Sequence, residues 1–159
     1  MKKSDLLIDM PAQENLLSLT HALIPQLSHQ RELAEDFDSL LAGIETEGHL
    51  TVRQLQLCQM RLSYLHQNRP PIVSKHRDHT QLTESEIFAL QTGDFEPCFS
   101  AQECELLALT DKMSQAVHAI TDDEVASIQQ QLGNAATVNL MTAIALYDAR
   151  CRLSNVLNS

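Results

Sequence analysis

The sequence contains no tryptophan, and aromatic residues make up only 4% of it. Glycine occurs 4 times and proline 5 times in 159 residues. A β-sandwich or barrel needs turn residues every few positions and aromatic or β-branched strands, so this poverty speaks against that class. Long apolar runs are missing too. No stretch approaches the roughly 20 residues that span a bilayer, and in the opening MKKSDLLIDMP Asp5 and Asp9 interrupt any signal-like run. No membrane partner is expected, and a cytoplasmic location is the default. Basic residues are scarce: 11 Lys and Arg against 21 Asp and Glu, a formal charge of -10. A surface that acidic repels a phosphate backbone, so nucleic acid is not an expected partner.

Several chemical signatures are absent. The cysteines are Cys58, Cys98, Cys104 and Cys151, and no two form a C-x-x-C pair. In a reducing compartment they read as small buried hydrophobes, and spacing alone does not settle a Cys98–Cys104 disulfide. There is no phosphate-binding glycine loop, no H-E-x-x-H and no G-x-S-x-G elbow. Neither a cofactor nor a metal is expected.

What is present is helical. Hydrophobic residues are 43% of the chain, enough for a core in one domain of this length. Three segments open with a hydroxyl residue followed three positions later by glutamate: Thr83 and Glu86, Ser100 and Glu103, Thr121 and Glu124. In such a capping box the hydroxyl accepts from an orphan amide and the glutamate reaches back to the cap. Leu106, Thr110, Met113, Val117 and Ile120 recur at helical spacing as one stripe. Gly133 suits a left-handed helix end. Ala135 to Leu157 then reads as one long helix, apolar on most sides between Val138 and Tyr147. Thr51 to about Asn68 is another, with Leu55, Cys58, Leu62 and Leu65 on one face, ended by Pro70-Pro71. Further helices are expected over 12–24, 30–44 and 72–81. The fold expected is all-α, a single-domain bundle of about seven or eight helices.

The stretch CQMRLSYLHQNRPPIVSKHRDH (58–79) carries one cysteine and three histidines, His66, His76 and His79. His76 and His79 share a face at i, i+3. Two ligands do not make a tetrahedral site, and solvated polar side chains are the plainer reading. Cys58 lies among Leu55 and Leu62, where a buried thiol is inert.

Taken together, GHLTVRQLQLCQMRLSYL (48–65), LTESEIFALQTGDF (82–95), FSAQECELLALTDKM (99–113), ITDDEVASIQQQLG (120–133) and TVNLMTAIALYDARCRLSNVLN (137–158) resemble, in order and spacing, the carboxymuconolactone decarboxylase and alkylhydroperoxidase D-like superfamily. Leu50 and Met60-Arg61-Leu62-Ser63 fall on its leucine and its L-R-x-S text. The resemblance implies an alkylhydroperoxidase D-like bundle over 37–159, with 1–36 as an N-terminal helical extension, and a homo-oligomer, commonly a trimer or hexamer. It also marks departures. Gln56 stands at the relay glutamate, His66 and Arg69 near the two catalytic cysteines, and Val73 near the family histidine, with His76 a turn later. An amide accepts no proton, and neither imidazole nor guanidinium replaces a peroxidatic thiolate. Tyr64-Leu65-His66 falls where the decarboxylase branch has Y-E-W before its histidine.

The expected function is a member of this superfamily without thiol peroxidase chemistry, binding a small acid. His66 or His76 would act as general base. Arg61 or Arg69 would pair with a carboxylate, and Tyr64, Gln56 and His79 would line the pocket. If active, it would be a decarboxylase-like lyase or a weak peroxidase. The alternative is a catalytically inactive oligomeric scaffold for self-association or protein binding. A peroxiredoxin-type antioxidant role through Cys58 is a third.

Overall fold

The computed structural model describes residues 30–46, 49–67 and 82–157, and every regular element among them is helical. In chain order they are α1 (Arg31–Thr46), α2 (Val52–Leu65), α3 (Glu84–Thr92), α4 (Ala101–Gln115), the 3-10 turn η1 (Val117–Ala119), α5 (Asp122–Leu132) and α6 (Asn134–Leu157). The helices expected over 12–24 and 72–81 lie outside the described residues. α1 runs unbroken through residues 36 and 37. No helix among the described residues is long and apolar enough to cross a membrane.

All three expected capping boxes form, at Thr83, Ser100 and Thr121. A fourth opens α2, where the Thr51 hydroxyl accepts from the Gln54 amide and the Gln54 side chain takes the Thr51 N–H. Each box satisfies two orphan donors, so four helix starts are fixed locally before packing contributes.

The core forms where α2, α4 and α6 meet. Leu57, Leu62, Leu106, Leu107, Leu140, Ile144 and Tyr147 are essentially inaccessible there, with Leu90 of α3. Each such burial stabilises by about 1.5–3 kcal/mol. α2 is enclosed on more than the one face its leucines mark, because Gln56, Arg61 and Ser63 are buried as well. Arg61 explains part of this. Its guanidinium grips both oxygens of Asp111 at 2.6 and 2.8 Å, donates to the Leu90 carbonyl at 2.7 Å and lies over the Phe95 ring. Arg53 likewise joins Glu86 of α3 to Glu103 of α4, 2.6 Å each, over the Phe99 ring. Two arginines thus tie α3 and α4 to the same helix.

Three expectations change. The stripe from Leu106 to Ile120 is not one helix: α4 stops at Gln115, Ala116 leaves the helical region (φ -151°), and Val117 is 66% exposed on η1. The chain must turn here to reach the box at Thr121. Gly133 has positive φ (83°) but ψ of 163°, not the left-handed cap. Only glycine enters that region readily, and it leads directly into α6. The left-handed cap is Gly93 (φ 86°, ψ 10°) at the end of α3. Finally, α2 ends at Leu65 rather than near Asn68, with Gln67 at φ 54°.

Candidate functional site

His66 caps the C-terminus of α2, and α4 and α6 bring partners to it. Its Nε2 lies 2.7 Å from Asp148 Oδ1 on α6 and 3.1 Å from Ser114 Oγ on α4. The Ser114 hydroxyl donates to the same Asp148 oxygen at 2.5 Å. Arg152, one turn beyond Asp148, donates from Nε to its other oxygen and from Nη2 to the Ser114 carbonyl at 2.7 Å. Asn155, one turn further, donates to the His66 carbonyl at 2.8 Å. The His66 and Asp148 side chains are only 16% and 15% exposed.

Burial pushes the Asp148 carboxyl upward, but the hydrogen bonds from Arg152, Ser114 and His66 outweigh it and hold the group below the usual carboxylate value. Asp148 is therefore an anion at neutral pH. An anion accepts, so the neutral imidazole presents N–H at Nε2, and its Nδ1 keeps the lone pair. Serine, histidine and aspartate meet here, yet not as a nucleophilic triad. That device needs the carboxylate on one ring nitrogen and the hydroxyl on the other. Here both share Nε2, and the hydroxyl hydrogen points at Asp148. The arrangement suits an oriented proton acceptor rather than an activated serine.

The other expected site residues are scattered. Tyr64 is partly buried against the core. Gln56 is 6% exposed, and among the described residues its Oε1 has no hydrogen-bond partner. The Arg61 fork is fully engaged by Asp111 and Leu90. Arg69, His76 and His79 lie outside the described residues. Among the described residues no group of three or more His, Cys, Asp or Glu side chains could hold a metal. Cys58 is fully buried with the Thr110 hydroxyl 3.4 Å from its sulfur, and burial pushes its thiol up to about 12.

Ser114, Asp148, Arg152 and Asn155 were not singled out from the sequence. A signal exists: Asp148, Arg152 and Asn155 stand at i, i+4 and i+7, a polar strip along α6. Which partner it meets depends on tertiary packing. No family model, no curated protein and no solved structure matches the chain.

Proposed function

We propose that the chain is a divergent relative of the carboxymuconolactone decarboxylase and alkylhydroperoxidase D-like proteins that lacks thiol chemistry, and that His66 is its proton acceptor toward a small acid. The observation carrying this reading is the 2.7 Å contact between His66 Nε2 and the ionised Asp148. A carboxylate behind an imidazole fixes its tautomer and stabilises the imidazolium formed when the other nitrogen takes a proton. Asp148 is then a positioning residue, and Arg152 and Ser114 hold it. The buried, high-pKa Cys58 supports the absence of peroxidase chemistry.

A second reading is the inactive, self-associating scaffold. It is favoured by the internal engagement of Arg61, Arg152 and Ser114, and by Val138 and Val156 of α6, which are 65% and 73% exposed. Imidazole NMR separates the two. Acetate, benzoate and succinate are added to the full chain while the His66 ring signals, assigned with His66→Gln, are followed. The first reading expects a saturable shift of the His66 ring with at least one acid. Indifference to every acid supports the scaffold.

A further inference from the structure

α1 is amphipathic, and only part of its apolar stripe is covered. Leu41 and Ile44 are 4% and 6% exposed. This end is tied to α6, where Asn139 donates to the Ile44 carbonyl at 3.3 Å and the Tyr147 hydroxyl to Glu45 Oε1 at 3.0 Å. Along the other edge of the stripe, Leu33 and Leu40 are 57% and 51% exposed. They stand at i and i+7, so they leave the helix in nearly the same direction, two turns apart. Phe37, at i+4 from Leu33, is partly buried against the core. Single exposed apolar side chains are ordinary. Two leucines aligned with a phenylalanine at i, i+4 and i+7 have the spacing by which a helix engages a partner.

Charge selects the occupant. α1 carries Glu32, Glu35, Asp36, Asp38 and Glu45 but a single basic residue, Arg31, which is bound to Glu35 at 2.7 Å. Asp36 stands at i+3 from Leu33 and i-4 from Leu40, on the leucine strip itself, and Glu32 flanks it; both are exposed. A second copy of the chain would set these carboxylates against their own kind, on a molecule of formal charge -10. An anionic membrane surface repels them in the same way, and a helix that lies in that interface carries Lys and Arg on its polar face. Leucines with carboxylates between and beside them fit an apolar stripe bordered by lysine or arginine.

We propose that the face of α1 bearing Leu33 and Leu40 docks a basic amphipathic helix of another protein. The apolar stripe of that helix lies over the two leucines and the edge of Phe37, at the usual interaxial separation of about 8–10 Å. Its lysines or arginines reach Glu32 and Asp36. The face shares no residue with the His66 group, so neither proposal rests on the other.

The test titrates the full chain into a fluorescein-labelled peptide built of two Lys-Leu-Ala-Lys-Leu-Ala-Lys repeats and follows its anisotropy. The control peptide has glutamate at every lysine. Saturable binding of the basic peptide, and none of the acidic one, is expected. Leu33→Gln with Leu40→Gln keeps both the charge and the helix propensity. It should weaken binding at least roughly tenfold and leave Tm unchanged. Glu32→Gln with Asp36→Asn should weaken binding several-fold and flatten its dependence on salt. Failure of the basic peptide to bind overturns the proposal, as does binding of the acidic one. Equal binding by the wild type and the leucine variant also overturns it, because charge alone then draws the peptide. A light-scattering dimer that the leucine variant dissociates assigns the face to a second copy and overturns it. A lower Tm of that variant without peptide assigns the face to the chain's own residues and does the same.

Discussion

Replacing Asp148 by asparagine isolates what its charge does. The carboxylate receives His66 Nε2 at 2.7 Å, and Ser114 Oγ and Arg152 Nε at 2.5 Å each. Asparagine keeps one acceptor oxygen for His66 and Ser114, but turns an amide toward Arg152. Arg152 is 55% exposed, so its share is small. The two shielded bonds fall from charge-assisted to neutral, losing about half their strength. The expected loss is about 2–3 kcal/mol, or roughly 5–10 °C in Tm for a chain of this length. Its pH dependence is the sharper check. The folded carboxyl lies below its unfolded value, because its donors outweigh the burial that raises it. It therefore stabilises fully above the unfolded value, near about pH 4, and that contribution is lost as pH falls through the lowered folded value. Urea unfolding followed by circular dichroism should show the full gap between wild type and variant from neutrality down to about pH 5, narrowing as the pH falls below the unfolded carboxyl value. A gap under about 0.5 kcal/mol at neutral pH, or one that persists undiminished in acid, refutes the reasoning.

Three further outcomes follow from the geometry. The Cys58 thiol, raised to about 12 by burial, should resist an aromatic disulfide reagent at mildly alkaline pH until the chain is unfolded. Peroxide turnover with a dithiol reductant should be absent, and turnover abolished by Cys58→Ser would contradict this. Gly93→Ala should destabilise by about 1–2 kcal/mol, since φ is 86° and the new Cβ would meet Arg61 Nη2 at 3.0 Å; unchanged urea stability would deny the left-handed cap. Thr51→Ala should cost about 1 kcal/mol and Thr51→Ser much less, and equal losses would mean that the hydroxyl is not the cap.

The helix starts were legible because capping is local: four residues carry the whole signal, as at Ser100 and Thr121. The fourth box, at Thr51, is a weaker signal in sequence, with Gln54 in place of glutamate at N3. The break at Ala116 was not legible, because Leu106, Thr110, Met113, Val117 and Ile120 keep helical spacing across a residue that leaves the helix. By residue type Arg61 or Arg69 suits a ligand carboxylate, but the carboxylate that Arg61 meets is Asp111, 50 residues away. His66 was legible as a candidate, since an imidazole beside a proline break invites the question. Its partners were not. Asp148 is 82 positions distant and Ser114 48, and only the packing of α4 and α6 against the end of α2 joins them.

Long-range 1H–15N correlation of the neutral His66 ring, recorded at alkaline pH, reads which nitrogen carries the proton. An imidazole oriented by Asp148 has its proton on Nε2 and an unprotonated Nδ1, and Asp148→Asn weakens that preference. A proton on Nδ1 in the wild type, or a tautomer indifferent to Asp148→Asn, would contradict the assignment of His66 as an oriented proton acceptor.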